Sequence, residues 1–439
     1  MSEPMAPPLG DELHVSPAAT LAGELSVPGD KSISHRAVMV GSLTDEPVRV
    51  TGFGASADTM ATVNAFRAMG VEIEQRDAET LLVQGVGMRG LRPPEGAIDV
   101  HNAGTLMRIL PGILAGQQGA FRLDGDDSIR RRPMERVATP LRQMGVEIET
   151  TEGLPPVTVH ATGEVEPISY RPPVASAQVK SCVLFAGLFT ERGVTVVEEG
   201  IATRDHTERM LQRAGVPVDR KPGRVSLSPV RELVLPEIEV PGDFSSAAPF
   251  IAAATVLQGS NLTLRGISIN PTRTGMLVVL ERMGARVGLF GRRWAAGEPV
   301  ADIEVRPAEL VATEIEPELV PSMIDELPLL VLIAGFARGT TMIRGAGELR
   351  VKESDRITAV ADALNAVGGH VEPLEDGFRV RGVPHRLRGG RIDAVGDHRI
   401  AMLGAVAGAC SQGGVTIEGA GALAVSFPDF ADRLAAVST

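Results

Sequence analysis

The chain has 439 residues, 44% of them hydrophobic, with 43 Lys or Arg against 55 Asp or Glu and a net charge of −12. That length exceeds one ordinary core, so two domains are expected. The acidic balance argues against a nucleic-acid or membrane partner, and aromatics at 3% leave no base-stacking platform; it does not argue against an anionic substrate, because a few Arg and Lys gathered in one place outweigh distant surface acids.

In chain order, the opening stretch MSEPMAPPLGDE is Pro-rich and acidic, lacks the basic start and apolar run of a signal peptide, and reads as a short loose tail. Next comes PGDKSISHR at 28–36, polar and cationic between two apolar flanks. It is not a P-loop, since Asp30 separates the lone Gly29 from Lys31 and the Gly-x4-Gly-Lys spacing is missing. An apolar helix follows, and then a helix-Gly-strand pattern, ATVNAFRAMGVEIE at 61–74. GVGMRG at 85–90 matches GxGxxG, but LRPPEG follows it, and its two prolines prevent the helix a dinucleotide fold requires. It reads as a Gly-rich turn. NAGTLMR at 102–108 starts another apolar helix, and VATPLRQMGVEIET at 137–150 repeats the helix-Gly-strand pattern. SAQVK at 176–180 opens a third apolar helix, and TERMLQRAGVPVD follows at 207–219.

PGDFS at 241–245 echoes PGDKS at 28–32. The second half then repeats the scheme with apolar helices after DFSS, IDE and DHR, and with MLVVLERMGARVGL at 276–289 and ITAVADALNAVGGHVEP at 357–373. From Lys31 through Gly104, Ser176, Ser245, Asp325 and Asp397 the steps are 69 to 80 residues, giving six repeats. Closed domains of three repeats each, with Ala- and Gly-rich helices inside and strands around them, fit better than an open rod. If both PGD segments are crossovers, the first strand belongs with the C-terminal half. The expected lobes are then 1–28 plus 243–439 and 29–242, joined by a hinge with an interdomain cleft.

The starts of the inner helices hold the polar chemistry. Backbone N–H groups are unpaired there and the dipole favours anions. The cationic candidates are Lys31, Arg36, Arg108, Arg132, Arg204, Lys352, Arg356 and Arg399; Arg suits phosphate or carboxylate through its fork of donors. Each could equally be a solvated surface charge. VKESDR at 351–356 reads as a charged helix start, with Lys352 and Arg356 crowded at i,i+4 as if around an anion. Two acids stand out, Asp325 in MIDELP and Glu353; Asp325 is a candidate base or an N-cap. Asp30, Asp205, Asp355 and Asp397 read as caps or Arg partners. There is no HExxH, CxxC or GxSxG, and His35, His206 and His398 have no visible nucleophile partner, so neither a metal nor an acyl-enzyme is indicated. Cys182 and Cys410 sit in apolar segments as buried thiols, which with the absence of a leader leads us to expect a cytoplasmic protein.

PGDKSISHR, NAGTLMR, RRRPMERV, SAQVKS, RDHTE, VKESDR, DHRIAM and SFPDF, in this order along nearly the whole chain, resemble the EPSP synthase (3-phosphoshikimate 1-carboxyvinyltransferase) family of enolpyruvyl transferases. The resemblance implies an α/β fold: a two-lobed inside-out barrel of six βαβαββ-type repeats. It implies transfer of the enolpyruvyl group of phosphoenolpyruvate to the 5-hydroxyl of shikimate 3-phosphate, through a non-covalent tetrahedral intermediate, with no cofactor. Glyphosate would compete with phosphoenolpyruvate. By motif, Lys31 would contact both substrates. Ser32, Arg36, Ser176, Ala177, Gln178, Arg204, Asp325 and Lys352 would hold shikimate 3-phosphate. Gly104, Thr105, Arg132, Gln178, Arg356 and Arg399 would hold phosphoenolpyruvate, and Asp325 and Glu353, with Lys31, would move protons. Ala177, Glu348 and Val425 depart from residues common in relatives, which puts individual ligand contacts in question and not the reaction. A monomer is expected. The alternatives are a UDP-N-acetylglucosamine enolpyruvyl transferase, which commonly uses a mobile-loop Cys, and a non-catalytic phosphometabolite-binding scaffold.

Overall fold

A computed structural model describes residues 11–198, 202–235 and 237–439. Of the stretch read as a tail, the first ten residues lie outside this range. Twelve α-helices alternate in character along the described chain: α1 (Lys31–Gly41), α2 (Ala57–Ala68), α3 (Gly104–Leu114), α4 (Glu135–Gln143), α5 (Ala177–Gly187), α6 (His206–Arg213), α7 (Phe244–Val256), α8 (Gly275–Arg282), α9 (Leu327–Gly335), α10 (Arg356–Ala366), α11 (His398–Ala409) and α12 (Phe430–Val437). The odd-numbered helices are almost wholly buried, and α7 and α9 are apolar on nearly every side. The even-numbered ones bury one face. Five of these, α2, α4, α6, α8 and α10, run into Gly70, Gly145, Gly215, Gly284 and Gly368, all with positive φ, where the left-handed turn starts the next strand.

The inner helices α3, α5, α9 and α11 each connect two parallel strands, as a crossover must. Ile98–Asp99 and Gly119–Asp124 flank α3 and pair in parallel. Antiparallel pairing with Leu154–Ala161 and then Glu147–Thr151 completes a four-stranded sheet. The same order recurs in four more sheets. Two repeats take their first strand from a distant part of the chain. Glu237–Glu239 pairs in parallel with Val48–Thr51, and Ala22–Ser26 pairs in parallel with Asn261–Ser268. The sixth repeat has no closing hairpin among the described residues. Glu12–Val15 pairs antiparallel with Val415–Glu418 instead, giving a three-stranded sheet.

The chain forms two compact units. One comprises Met1–Pro28 (described from residue 11), Gly242–Arg293 and Pro299–Thr439; the other comprises Gly29–Pro241 and Trp294–Glu298. Each has its own apolar core around its three odd helices. The boundary read from the sequence put 294–298 with the C-terminal lobe, but these residues, at the turn between strands Arg286–Ala295 and Glu298–Arg306, belong to the other unit. The physical reason is local. Ala296 joins that unit's core, and the buried Glu298 carboxylate accepts from His206 Nδ1 at 2.8 Å and lies 3.7 Å from Arg209 Nε. The two Phe of SFPDF are core residues: Phe427 and Phe430 stack edge-on at 5.4 Å, and both pack on Phe250.

Candidate active site

In the unit containing Gly29–Pro241, Asp30 caps α1 by accepting from Ile33 N at 2.9 Å. The next residue, Lys31, is 27% exposed and donates to Asp58 Oδ2 at 2.9 Å. Arg36, one turn on, is buried. It donates to Thr207 Oγ1 (2.6 Å), Ser181 Oγ (2.9 Å) and Ser32 O (2.9 Å), tying α1 to α5 and α6. Burial pulls Arg36 down to about 10; Glu208 and Asp30 oppose this, and the charge of Arg204 adds to it. Ser176 caps α5 through Val179 N. Gln178 accepts from Arg108 Nη1 at 2.8 Å and donates to Thr105 Oγ1 at 3.4 Å, so the starts of α3 and α5 meet side by side. The first residue of α3, Gly104, has no side chain because a Cβ there would stand 2.6 Å from Arg132 Nη1. Arg132 Nη2 donates to Asn102 Oδ1 and Ser128 Oγ. Lys31 with Ser32 and Arg36, Gly104 with Thr105 and Arg132, and Ser176 with Ala177 and Gln178 thus stand at the starts of the three inner helices of one unit, with Arg204 just before α6.

In the other unit, Asp325 lies in the turn before α9. The N-cap position is Glu326, without a side-chain capping bond, so the capping role considered for Asp325 is not the one it has. Its carboxylate, 17% exposed, faces two buried guanidiniums, Arg273 Nη1 at 3.4 Å from Oδ2 and Arg356 Nη1 at 3.6 Å from Oδ1. Arg356 also holds Glu353 Oε2 at 2.6 Å and both oxygens of Asp397, at 2.8 and 3.1 Å. Burial works against the charge on Arg356, but Glu353, Asp397 and Asp325 outweigh it and raise the guanidinium above its ordinary range. Asp397 is pushed up by burial and pulled down further by Arg356, so it ends below the usual carboxylate range. It also caps α11 through Arg399 N. Arg399 has a buried Nε with no hydrogen-bond partner among the described residues. Lys352 and Arg356 do not share a helix face: α10 begins at Arg356 behind the Asp355 cap, and Lys352 is extended.

Asp30, Asp355 and Asp397 cap helices, and Asp205 instead pairs with Arg209 and Arg220. GVGMRG is a turn whose Arg89 donates to the carbonyls of Gly116 and Gly163. Cys182 and Cys410 are fully buried, and burial pushes each thiol up to about 12, so neither suits a reactive role. Sequence reading missed Arg273, Asp58, Thr207 and Ser181. Arg273 lies in the turn NPTRTG ahead of an outer helix, away from the inner-helix starts that guided the search. The other three have neutral or acidic side chains that only packing brings to the cations.

A family model described as EPSP synthase (3-phosphoshikimate 1-carboxyvinyltransferase) matches residues 15–434. A 3-phosphoshikimate 1-carboxyvinyltransferase of Acidithiobacillus ferrooxidans is 50% identical over 416 residues, 95% of each chain. One from Halorhodospira halophila is 49% identical over 97% of this chain and 96% of its own. Among solved structures, an EPSP synthase from Acinetobacter baumannii superposes with a TM-score of 0.88 at 42% identity, covering 97% of this chain and 98% of its own. The enolpyruvyl transferase NikO from Streptomyces tendae, at 20% identity and a TM-score of 0.76, shares the fold.

Proposed function

The chain belongs to the EPSP synthase family, and we propose that it moves the enolpyruvyl group of phosphoenolpyruvate onto the 5-hydroxyl of shikimate 3-phosphate with the residues placed above. The observation that carries this assignment of roles is the Asp325 carboxylate, largely screened from water and held between two buried guanidiniums beside Glu353. Asp325 takes the proton of the substrate hydroxyl as its oxygen bonds to C2 of phosphoenolpyruvate. Glu353, with Lys31, delivers a proton to the methylene carbon. The tetrahedral adduct then loses a methyl proton as its C–O bond to phosphate breaks, which restores the vinyl group and releases phosphate.

Arg399 contributes a buried donor to the phosphoenolpyruvate anion, and Arg132 with the backbone at Gly104 and Thr105 contributes others. Ser32, Arg36, Ser176, Ala177, Gln178, Arg204 and Lys352 are assigned to shikimate 3-phosphate. Arg36 and Arg204 crowd one another in charge, which an anionic phosphate relieves. Lys352 and Glu353 stand just before α10, and Arg356, engaged by three carboxylates, acts on phosphoenolpyruvate only if it gives up part of that network. Among the described residues no cysteine is placed for the mobile-loop chemistry of the UDP-sugar enzymes. The test is incubation of the full chain with both substrates, followed by 31P NMR. Loss of the phosphoenolpyruvate resonance with growth of inorganic phosphate and the enolpyruvyl product is expected. Turnover only with a UDP-amino sugar, or binding without turnover, would overturn the assignment.

A further inference from the structure

We propose that Arg273 is a positioning residue for the reaction: it fixes the orientation of the Asp325 carboxylate, so that one oxygen is held while the other is kept in register for the substrate proton. The proposal rests on the assignment of Asp325 as the base.

Arg273 is 4% exposed and lies in the loop that leads into α8. That loop is itself rigidly built. The buried Asn270 accepts from Thr272 N (2.9 Å) and Thr272 Oγ1 (2.8 Å), and Arg273 N donates to Asn270 O at 2.8 Å. From this base the guanidinium reaches two helix starts at once. Nη2 donates to Ser245 Oγ at 2.5 Å, at the start of α7, and lies 3.7 Å from both Asp243 Oδ1 and Glu326 Oε1. Ser245 Oγ in turn donates to Glu326 Oε1, which joins the α7 start to the turn before α9. Nη1 is left to face Asp325 Oδ2.

Each oxygen of Asp325 therefore meets a different guanidinium, Arg273 on one side and Arg356 on the other. Rotating the carboxylate about its last bond breaks both contacts together. The planar fork of Arg273 ties this restraint to three parts of the chain, and a single ammonium cannot reproduce the fork. A base held this way loses little orientation on reaching the transition state, and orientation is what proton transfer needs. Because Arg273 acts through Asp325 and not on the bound substrates, its loss is expected to fall on kcat and to leave KM nearly unchanged.

The experiment uses the full chain as wild type, Arg273→Lys, Arg273→Gln, Asp325→Asn, and Arg273→Lys combined with Asp325→Asn. Thermal melting is recorded alongside kcat and KM for both substrates. Arg273→Lys keeps a cation among the surrounding carboxylates, so it is the variant chosen to fold; it should lower kcat roughly 10- to 100-fold with KM changed less than about threefold. In the Asp325→Asn background the same change should cost less than about twofold, because residues acting through one another are not additive. An equal loss in both backgrounds would show that Arg273 acts independently of Asp325 and would overturn the proposal. So would a kcat within about twofold of wild type in whichever of the Lys and Gln variants melts as a folded protein. Retention of turnover by Asp325→Asn would instead remove the assignment of Asp325 as base, and with it this role for Arg273.

Discussion

Gly104 and Asp325 each put a single-residue claim at risk. A Cβ at position 104 would meet Arg132 Nη1 at 2.6 Å, the far end of a flexible side chain and not backbone. Gly104→Ala is therefore expected to fold, helped slightly by the helix propensity of Ala, and to displace the Arg132 guanidinium from the start of α3. KM for phosphoenolpyruvate should rise, and the inhibition constant for the longer glyphosate should rise more. Equal rises would indicate general distortion, and no rise would mean that the α3 start does not meet the ligand. For Asp325→Asn, size and most contacts are kept and the base is lost. Substrate binding measured by calorimetry should persist while turnover falls on the order of 100- to 10,000-fold. A loss under about tenfold with an intact fold would make Asp325 a purely structural partner of Arg273 and Arg356.

The inner helices carry their polar ends on buried chemistry, and α1 shows what that costs. His35 is fully buried between α1 and α2, with Nδ1 2.6 Å from Thr62 Oγ1. Burial lowers its pKa from 6.5 to about 3; Asp58 opposes this, and Lys31 and Arg36 add to it. Between those two values the unfolded chain binds a proton that the folded chain refuses. Stability from this group is thus intact above pH 6.5 and falls as the pH drops, by about 2 kcal/mol at pH 5. The ring resonances of His35 should stay those of neutral imidazole down to pH 5, and the urea midpoint should fall from pH 7 to 5 less steeply in His35→Gln than in wild type. Identical slopes in the two proteins would show that His35 does not carry this effect.

Across the whole molecule, each unit has a closed set of three inner helices and its own core, but their sequences are not independent. The fragment Gly29–Pro241 holds all three of its sheets, yet lacks Glu298, the buried partner of His206 and Arg209. The fragment is expected to unfold cooperatively in urea, monitored by circular dichroism, with a lower midpoint than that unit shows in the full chain. The deficit should be on the order of 1–3 kcal/mol, the cost of leaving the buried His206 ring nitrogen without its acceptor. A fragment with no cooperative transition would mean that the second core does not stand without the 294–298 turn; an unchanged midpoint would mean that Glu298 adds nothing to it.

The sequence alone determined what depends on local periodicity and on motif spacing. Apolar helix starts recurring every 69 to 80 residues set six repeats and place those helices inside, because a helix apolar on every side can only be interior, and amphipathic helices ending in Gly mark where the following strands begin. Eight ordered motifs carried the family. Tertiary structure alone decided what depends on partners far apart in the chain. Nothing near Glu298 in sequence announces that it leaves the strands around it to close on His206, 92 residues away. Nothing near Arg273 says that its guanidinium reaches Ser245 and Asp325, 28 and 52 residues away. Nor could spacing show that Arg356 spends its donors on Glu353 and Asp397, since Asp397 is 41 residues downstream. A charge pattern along a chain identifies groups able to hold an anion. Which of them are already engaged by carboxylates is fixed only when packing sets the distances between them.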